Sequence, residues 1–354
     1  MGRLIAVLAG ICLLFLADLE AFSQTLVHVG YCVRTIASNA APYAIAQKMG
    51  WFAESGIQIE LVPMAGATDC VKFLATKQVD FVLASVEPLA LIRGQGVKAH
   101  IFYTSLQGFI FRISVPENSP VRTFADLKGK SIGVQSMSSA AVFFARGAAA
   151  RAGLDPDRDV RIVAVGEGAQ TAALVRKGEV DAVSQLDAGQ AMLENAGIAL
   201  RFLASPETDG FPSGGLMALD ETLRTQRKQA VALARGYAKG TIFLIANPEA
   251  AIRILWDVYP QAKPMGKDEA VALKDELHII AARVPIWRLE KGGVSKWGES
   301  SEKNYSAYVD FLQKWGALKE KVPVADLVTN ELIGEVNNFD AAKIAAEARA
   351  YKLH

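Results

Sequence analysis

Two stretches of this chain share one grammar. "KQVDFVLASVEP" runs from Lys77 to Pro88, and "GEVDAVSQLDAG" runs from Gly178 to Gly189. Each follows a helix-like segment that opens with Gly-Ala, at Gly66-Ala67 and at Gly168-Ala169. Each sets a Val-Asp pair ahead of a short apolar run and closes on a small polar residue and a carboxylate. A short apolar run alone does not separate strand from buried helix, and Val-Asp recurs by chance in α/β chains. The matching helix upstream of both copies turns the pair into a repeated unit of helix, strand and turn. A chain that builds this unit twice is expected to form two similar lobes. Its 354 residues exceed one ordinary core and suit two.

The rest of the sequence extends that pattern. "TLVHVGYC" and "GIQIELVPM" read as strands, and "APYAIAQKMGWF" reads as an amphipathic helix stopped by Gly50. "KAHIFYTS" follows as another strand. After "FIFRISVPENSP" the order restarts with a strand at Ser131–Val134, a long helix ended by Gly153, and further strands at "RIVAVG", "IALRFLAS" and "SGGLMAL". Strands alternating with helices predict parallel sheets built from βαβ units. From Asp220 onward the chain reads as almost wholly helical. The expected fold class is therefore α/β in two lobes, each a mostly parallel sheet flanked by helices, with a helical C-terminal extension. The expected boundaries are 24–115 for the first part of lobe 1, 116–218 for lobe 2, and 219–354 for a helical segment that returns to lobe 1.

The N-terminus is a targeting segment by pattern. Arg3 precedes an apolar run from Leu4 to Ala17, and "AFS" places small residues before a cut ahead of Gln24. That is the order of a secretory signal peptide, residues 1–23, and the run is too short for a stable spanning helix. The expected location is the periplasm. Ile11 beside Cys12 argues against a lipid anchor there. Export into an oxidising compartment leaves Cys32 and Cys70 either as a disulfide or as two buried thiols. A net charge of +1 excludes the electrostatic footprint of a nucleic-acid binder. The sequence has no GxSxG elbow, HExxH, P-loop or CxxC, and its four histidines are scattered. No catalytic residue, metal site or cofactor is expected.

Ligands of open α/β sheets sit outside the carboxyl ends of the strands. The two copies of the repeat then deliver Ser85 and Glu87 from one lobe, and Gln185 and Asp187 from the other, to one cleft. "QSMSSA" follows a strand and opens a long helix, so Gln135, Ser136, Ser138 and Ser139 offer a cluster of donors. One serine there suffices for an N-cap. "GATD", with Gly66, Thr68 and Asp69, is the equivalent turn in the first lobe, and "GEGAQ", with Glu167, is a matching turn in the second. Arg34 and Thr35 follow the first strand, where Arg34 suits either an anionic ligand or a surface salt bridge. Glu87 and Asp187 suit either helix capping or a ligand bearing a cationic or donor nitrogen. Tyr31, Tyr43, Phe109 and Phe211 are either ring-stacking or core residues.

Several longer stretches carry a family resemblance. They are "GWFAESGIQIELV" (50–62), "KQVDF" (77–81), "FADLKGKSIGV" (124–134), "AGLDPDRDV" (152–160), "ALVRKGEVDAV" (173–183) and "VPVADLVTNELIGEVNNFD" (322–340). In this order, behind an export signal, they resemble the periplasmic solute-binding proteins of ABC importers. The likeness is to the branch serving nitrate, sulfonates, taurine and thiamine-pyrimidine precursors. The resemblance implies a monomeric, two-lobed Venus-flytrap protein. Such a protein closes on a small molecule and hands it to a membrane permease driven by an ATPase subunit. It also implies ligand contact for the loop Gln135–Ala140. The carboxylates at Glu87 and Asp187 depart from what a small-anion binder wants and direct the expectation toward an organic ligand. Two other readings share the fold: an exported ligand-binding sensor subunit, and a pyrimidine-precursor synthase. The synthase resembles an intracellular enzyme with a cysteine-rich cluster, which this chain lacks.

Overall fold

A computed structural model describes residues 24–352. The proposed leader, 1–23, lies outside the described residues. Among the described residues, ten strands form two five-stranded sheets. Strands β1 (Thr25–Tyr31), β2 (Ile57–Pro63), β3 (Phe81–Ser85), β4 (Ala99–Leu106) and β5 (Phe111–Pro116) come first. They are followed by β6 (Lys130–Val134), β7 (Val160–Ala164), β8 (Ala182–Leu186), β9 (Leu200–Phe202) and β10 (Gly214–Leu219). The first sheet has the order β2-β1-β3-β10-β4 and the second β7-β6-β8-β5-β9.

The two orders are the same pattern. In each sheet the unit's strands are parallel, and one antiparallel strand sits in fourth place: β10 in the first, β5 in the second. The repeated stretches occupy β3 and β8, the central strands, in equivalent pairings with β1 and β6. The aspartate of each Val-Asp pair has the same structural role in both copies. Asp80 accepts the His28 backbone N–H at 2.8 Å, and Asp181 accepts the Ser131 backbone N–H at 2.8 Å. Each thereby satisfies a neighbouring strand where its ladder begins. Helices cover both faces, so β3 is buried on both sides, while the edge strand β2 alternates Ile57, Ile59 and Leu61 inward with Gln58 and Glu60 outward.

The fourth strands correct two expected boundaries. β5 begins at Phe111 and belongs to the second sheet, and β10, inside the expected 116–218 lobe, belongs to the first. The chain crosses between lobes before Phe111 and returns before Gly214. Each crossing strand runs antiparallel into the partner sheet. Insertion between β3 and β4 demands close backbone approach. A Cβ on Gly215 would fall 1.9 Å from the Tyr103 carbonyl oxygen, which explains the Gly-Gly start of β10. The two crossings are tied together where the Ile110 N–H donates to Ser213 Oγ at 2.9 Å.

The C-terminal segment does not lie on lobe 1 alone. The helix Arg227–Ala246 packs on Ala41–Lys48 and on Ala341–Ala350, but the helix Glu269–Trp287 lies against Asp187–Asn195 of the second lobe as well as against Pro248–Val258. It therefore contacts both lobes and brings Arg283 to the cleft. No helix among the described residues is long and apolar enough to cross a membrane.

Candidate functional site: the interlobe cleft

The cleft opens where the carboxyl ends of the strands of both sheets face each other, as the strand order requires. The lobes lie close together across it and leave a cavity of about 70 Å³. Its walls are largely apolar, with Val33, Leu83, Leu106, Ile110, Phe111 and Leu186 among them. Three tyrosines stand in it: Tyr31 at the end of β1, Tyr43 on the helix Ala41–Lys48, and Tyr237 on the helix Arg227–Ala246. Tyr43 and Tyr237 meet edge to face with centroids 4.8 Å apart. Burial pushes the Tyr237 phenol up to about 12 and also raises the Tyr31 and Tyr43 phenols, so all three are neutral.

Three buried polar atoms in this wall have no partner: Tyr43 Oη, Ser85 Oγ and Gln135 Nε2. A buried polar group left unpaired costs about 1–3 kcal/mol. Ser85 occupies the N-cap position of the helix Val86–Arg93, yet its hydroxyl makes no capping hydrogen bond. It is close enough to Glu87 to lower that carboxyl's pKa without reaching hydrogen-bond geometry. Two of the three atoms come from lobe 1 and Gln135 comes from the end of β6 in lobe 2. They converge on one space from two bodies.

The other serines of "QSMSSA" have different jobs. Ser136 Oγ donates to the Ala65 carbonyl at 2.6 Å, Ser138 Oγ donates to Asp69 Oδ1 at 3.0 Å, and the Thr68 N–H donates to the Ser138 carbonyl at 3.1 Å. All three bonds run from lobe to lobe, forming a latch along one edge of the cleft. Gly66 lies under it: a Cβ there would fall 2.5 Å from the Ser138 carbonyl carbon. Ser139 lines the cleft, and its hydroxyl accepts the Ala141 N–H at 3.3 Å at the start of the helix Ala141–Arg151. Of the residues anticipated from sequence, Gly66, Ser85, Gln135 and Ser139 line the space, while Thr68, Asp69 and Ser138 hold one another and Ser136 holds Ala65.

The carboxylates correct the expectation of an acidic cleft. Asp187 is held in a bidentate ion pair with Arg283, Nε to Oδ2 and Nη2 to Oδ1, both 2.5 Å. Both residues are buried. Burial pulls the Arg283 pKa down, but attraction to Asp187 and its hydrogen bonds outweigh that and leave it raised. Glu87 turns away from the cleft and accepts a hydrogen bond from Tyr308. Burial pushes its carboxyl up to about 7. The physical reason for the difference is register: Asp187 is the first residue of its helix and Glu87 the second, so they leave their helices in different directions. Gln185 is also behind the wall, donating to Gly166 O and Thr171 Oγ1, both at 3.3 Å.

Arg34 and Thr35 are exposed, outside the lining. Burial raises the Glu167 pKa, and the charge of Arg34 in the opposite lobe offsets part of that rise. Phe109 and Phe211 belong to an aromatic cluster with Phe144 and Tyr308 at the crossings, not to the cleft. Cys32 lines the cleft and is bonded to Cys70, Cα–Cα 5.7 Å, which fixes the end of β1 to the helix Ala67–Ala75 that carries the latch. No cluster of three metal-ligating side chains is present among the described residues. The polar cleft residues that sequence reasoning missed are Asn39, which accepts a hydrogen bond from Tyr31, Tyr237 and Arg283. Arg283 did leave a signal: it falls in the apolar stripe with Ile279, Ile280, Ile286 and Trp287, where a charge is out of place.

Comparison with known proteins adds four observations. A family profile described as NMT1/THI5 like matches residues 37–251. The riboflavin-binding protein RibY of Chloroflexus aurantiacus is 25% identical over 297 residues, covering 83% of this chain and 82% of that one. Among solved structures, a protein of Bordetella bronchiseptica superposes with TM-score 0.69 at 22% identity, covering 89% of this chain and 98% of that one. The alkanesulfonate-binding protein SsuA of Xanthomonas axonopodis pv. citri, solved with MOPS bound, gives TM-score 0.63 at 19% identity, covering 87% and 99%. At those identities the solved structures establish a shared two-lobed fold.

Proposed function

The chain belongs to the NMT1/THI5-like family, and on that footing we propose that it is the exported ligand-capturing component of an ABC importer, taking up a small, flat, ring-bearing organic molecule. One observation carries the ligand class. Tyr43 Oη, Ser85 Oγ and Gln135 Nε2 are unpartnered inside a largely apolar cleft with three tyrosines. Apolar walls with a few convergent polar groups suit a flat ring edged with donors and acceptors. A ligand bridging both lobes stabilises the closed state and signals occupancy to a membrane permease. The riboflavin-binding relative supports a heteroaromatic ring as the recognised feature. A binding role is further supported against sulfur nucleophile chemistry, since Cys32, the cysteine of the lining, is held in the disulfide.

The test is thermal unfolding of the mature protein against riboflavin, lumichrome and thiamine-type pyrimidines, with polyamines and amino acids as contrasts. A ligand at a hundredfold excess over its dissociation constant adds about 2.7 kcal/mol. A rise in melting temperature with a ring compound supports the reading. A rise with polyamines or aliphatic amino acids alone contradicts it.

A further inference from the structure

We propose that Asp187 sets the charge specificity of the cleft: by neutralising Arg283 it makes the site reject anions. This deepens the function proposed above and rests on the cleft being the ligand site. Arg283 is the cation in the cleft lining, 5% exposed, on the helix Glu269–Trp287 that flanks the cleft. A guanidinium in a low-dielectric pocket is by itself a strong site for a sulfonate, carboxylate or phosphate. Here its Nε and Nη2 are both spent on the Asp187 carboxylate, 2.5 Å away.

The pair presents the cleft with the remaining guanidinium N–H donors but with no net charge. Those donors suit a carbonyl or ring nitrogen. An anion entering beside them meets the Asp187 charge as well and gains no Coulomb energy for its desolvation. Among the other charges, that of Arg34 acts on Glu167 of the opposite lobe, one of each sign, and Glu276, on the same helix as Arg283, is a buried carboxylate that adds no attraction for an anion. Glu87 is turned toward Tyr308 behind the wall. Asp187 is placed by its helix and by its own N–H, which donates to the Ile110 carbonyl at 2.9 Å beside the interlobe crossing. The neutralising charge is therefore fixed beside the crossings between the two lobes.

The experiment is calorimetric titration of butane-1-sulfonate into wild type and Asp187→Asn. Wild type is expected to bind it more weakly than about 1 mM. The D187N protein is expected to bind it roughly 10- to 100-fold more tightly, the range of a charge-assisted hydrogen bond, with affinity that falls as salt rises. Equal affinity in wild type and folded D187N overturns the proposal, as does wild-type binding tighter than about 1 mM. Circular dichroism establishes folding. If D187N does not fold, Asp187→Ala, which leaves room beside Arg283, is read in the same assay, and the wild-type titration still decides on its own. The double variant D187L/R283M, lacking the cation, is expected to bind no sulfonate; sulfonate binding by it would place the anion elsewhere and overturn the assignment. A wild-type protein that ignores every ring compound would fail the function proposed above, while the D187N comparison would still decide the charge rule.

Discussion

Glu87 offers a stability prediction whose size follows from its surroundings. The side chain is 1% exposed, one carboxyl oxygen accepts from Tyr308, and the other has no partner. Burial pushes its pKa from the ordinary 4.5 up to about 7, against hydrogen bonds that act to lower it. Between those two values the folded protein keeps a proton that the unfolded chain has released. The contribution to stability is complete below 4.5 and is lost as pH rises through about 7. At 1.36 kcal/mol for each pH unit, the interval amounts to about 3 kcal/mol. Glu87→Gln keeps the shape and an acceptor for Tyr308 while removing the titration. Thermal unfolding of wild type and E87Q across this range isolates the one group, since every other carboxylate is common to both. At roughly 2 cal/mol/K per residue, E87Q is expected to gain about 4 °C relative to wild type between pH 4.5 and pH 8. A separation that does not change with pH would refute the burial argument.

Other perturbations follow from the same structure. Tyr43→Phe removes an unpartnered hydroxyl, so the empty protein is expected to gain about 1 kcal/mol of stability while ring-ligand affinity falls roughly tenfold; unfolding and titration of the same variant report both, and unchanged affinity would remove Tyr43 from the site. Gly66→Ala puts a Cβ 2.5 Å from the Ser138 carbonyl carbon and is expected to hold the lobes apart, seen as a larger radius of gyration in small-angle scattering; an unchanged radius would mean the latch accommodates it. Reduction of Cys32–Cys70, which spans 38 residues, is expected to cost about 4 kcal/mol by loop entropy, measured as denaturant midpoints with and without reductant; coincident midpoints would show that the link carries no stability.

Much of the architecture was legible because the repeat is local. "VDFVLAS" and "VDAVSQ" identify themselves as equivalent strands, and they do hold the same place in their sheets. The exchange of β5 and β10 was not legible, because "FRISVP" and "GGLMAL" carry no mark of which sheet receives them; only the close fit at Gly215 does, and that is a property of the neighbours. In the site, the turns at strand ends were found but their division of labour was not. Nothing in "QSMSSA" tells Gln135, which faces the cleft, from Ser138, which faces Asp69. The acidic cleft failed for a tertiary reason: the cation that neutralises Asp187 lies 96 positions along the chain, on a helix whose return to the second lobe has no local signature.

The central claim is that the cleft recognises a flat ring through Tyr43, Ser85 and Gln135. Its most direct measurement is the fluorescence of riboflavin titrated with the mature protein, followed by displacement with thiamine-type pyrimidines and with butane-1-sulfonate. The account predicts saturable quenching as the isoalloxazine enters among the tyrosines, or, where a pyrimidine is preferred, calorimetric binding of that ring; in either case sulfonate displaces nothing. Binding of the sulfonate with no response to any ring compound would contradict it.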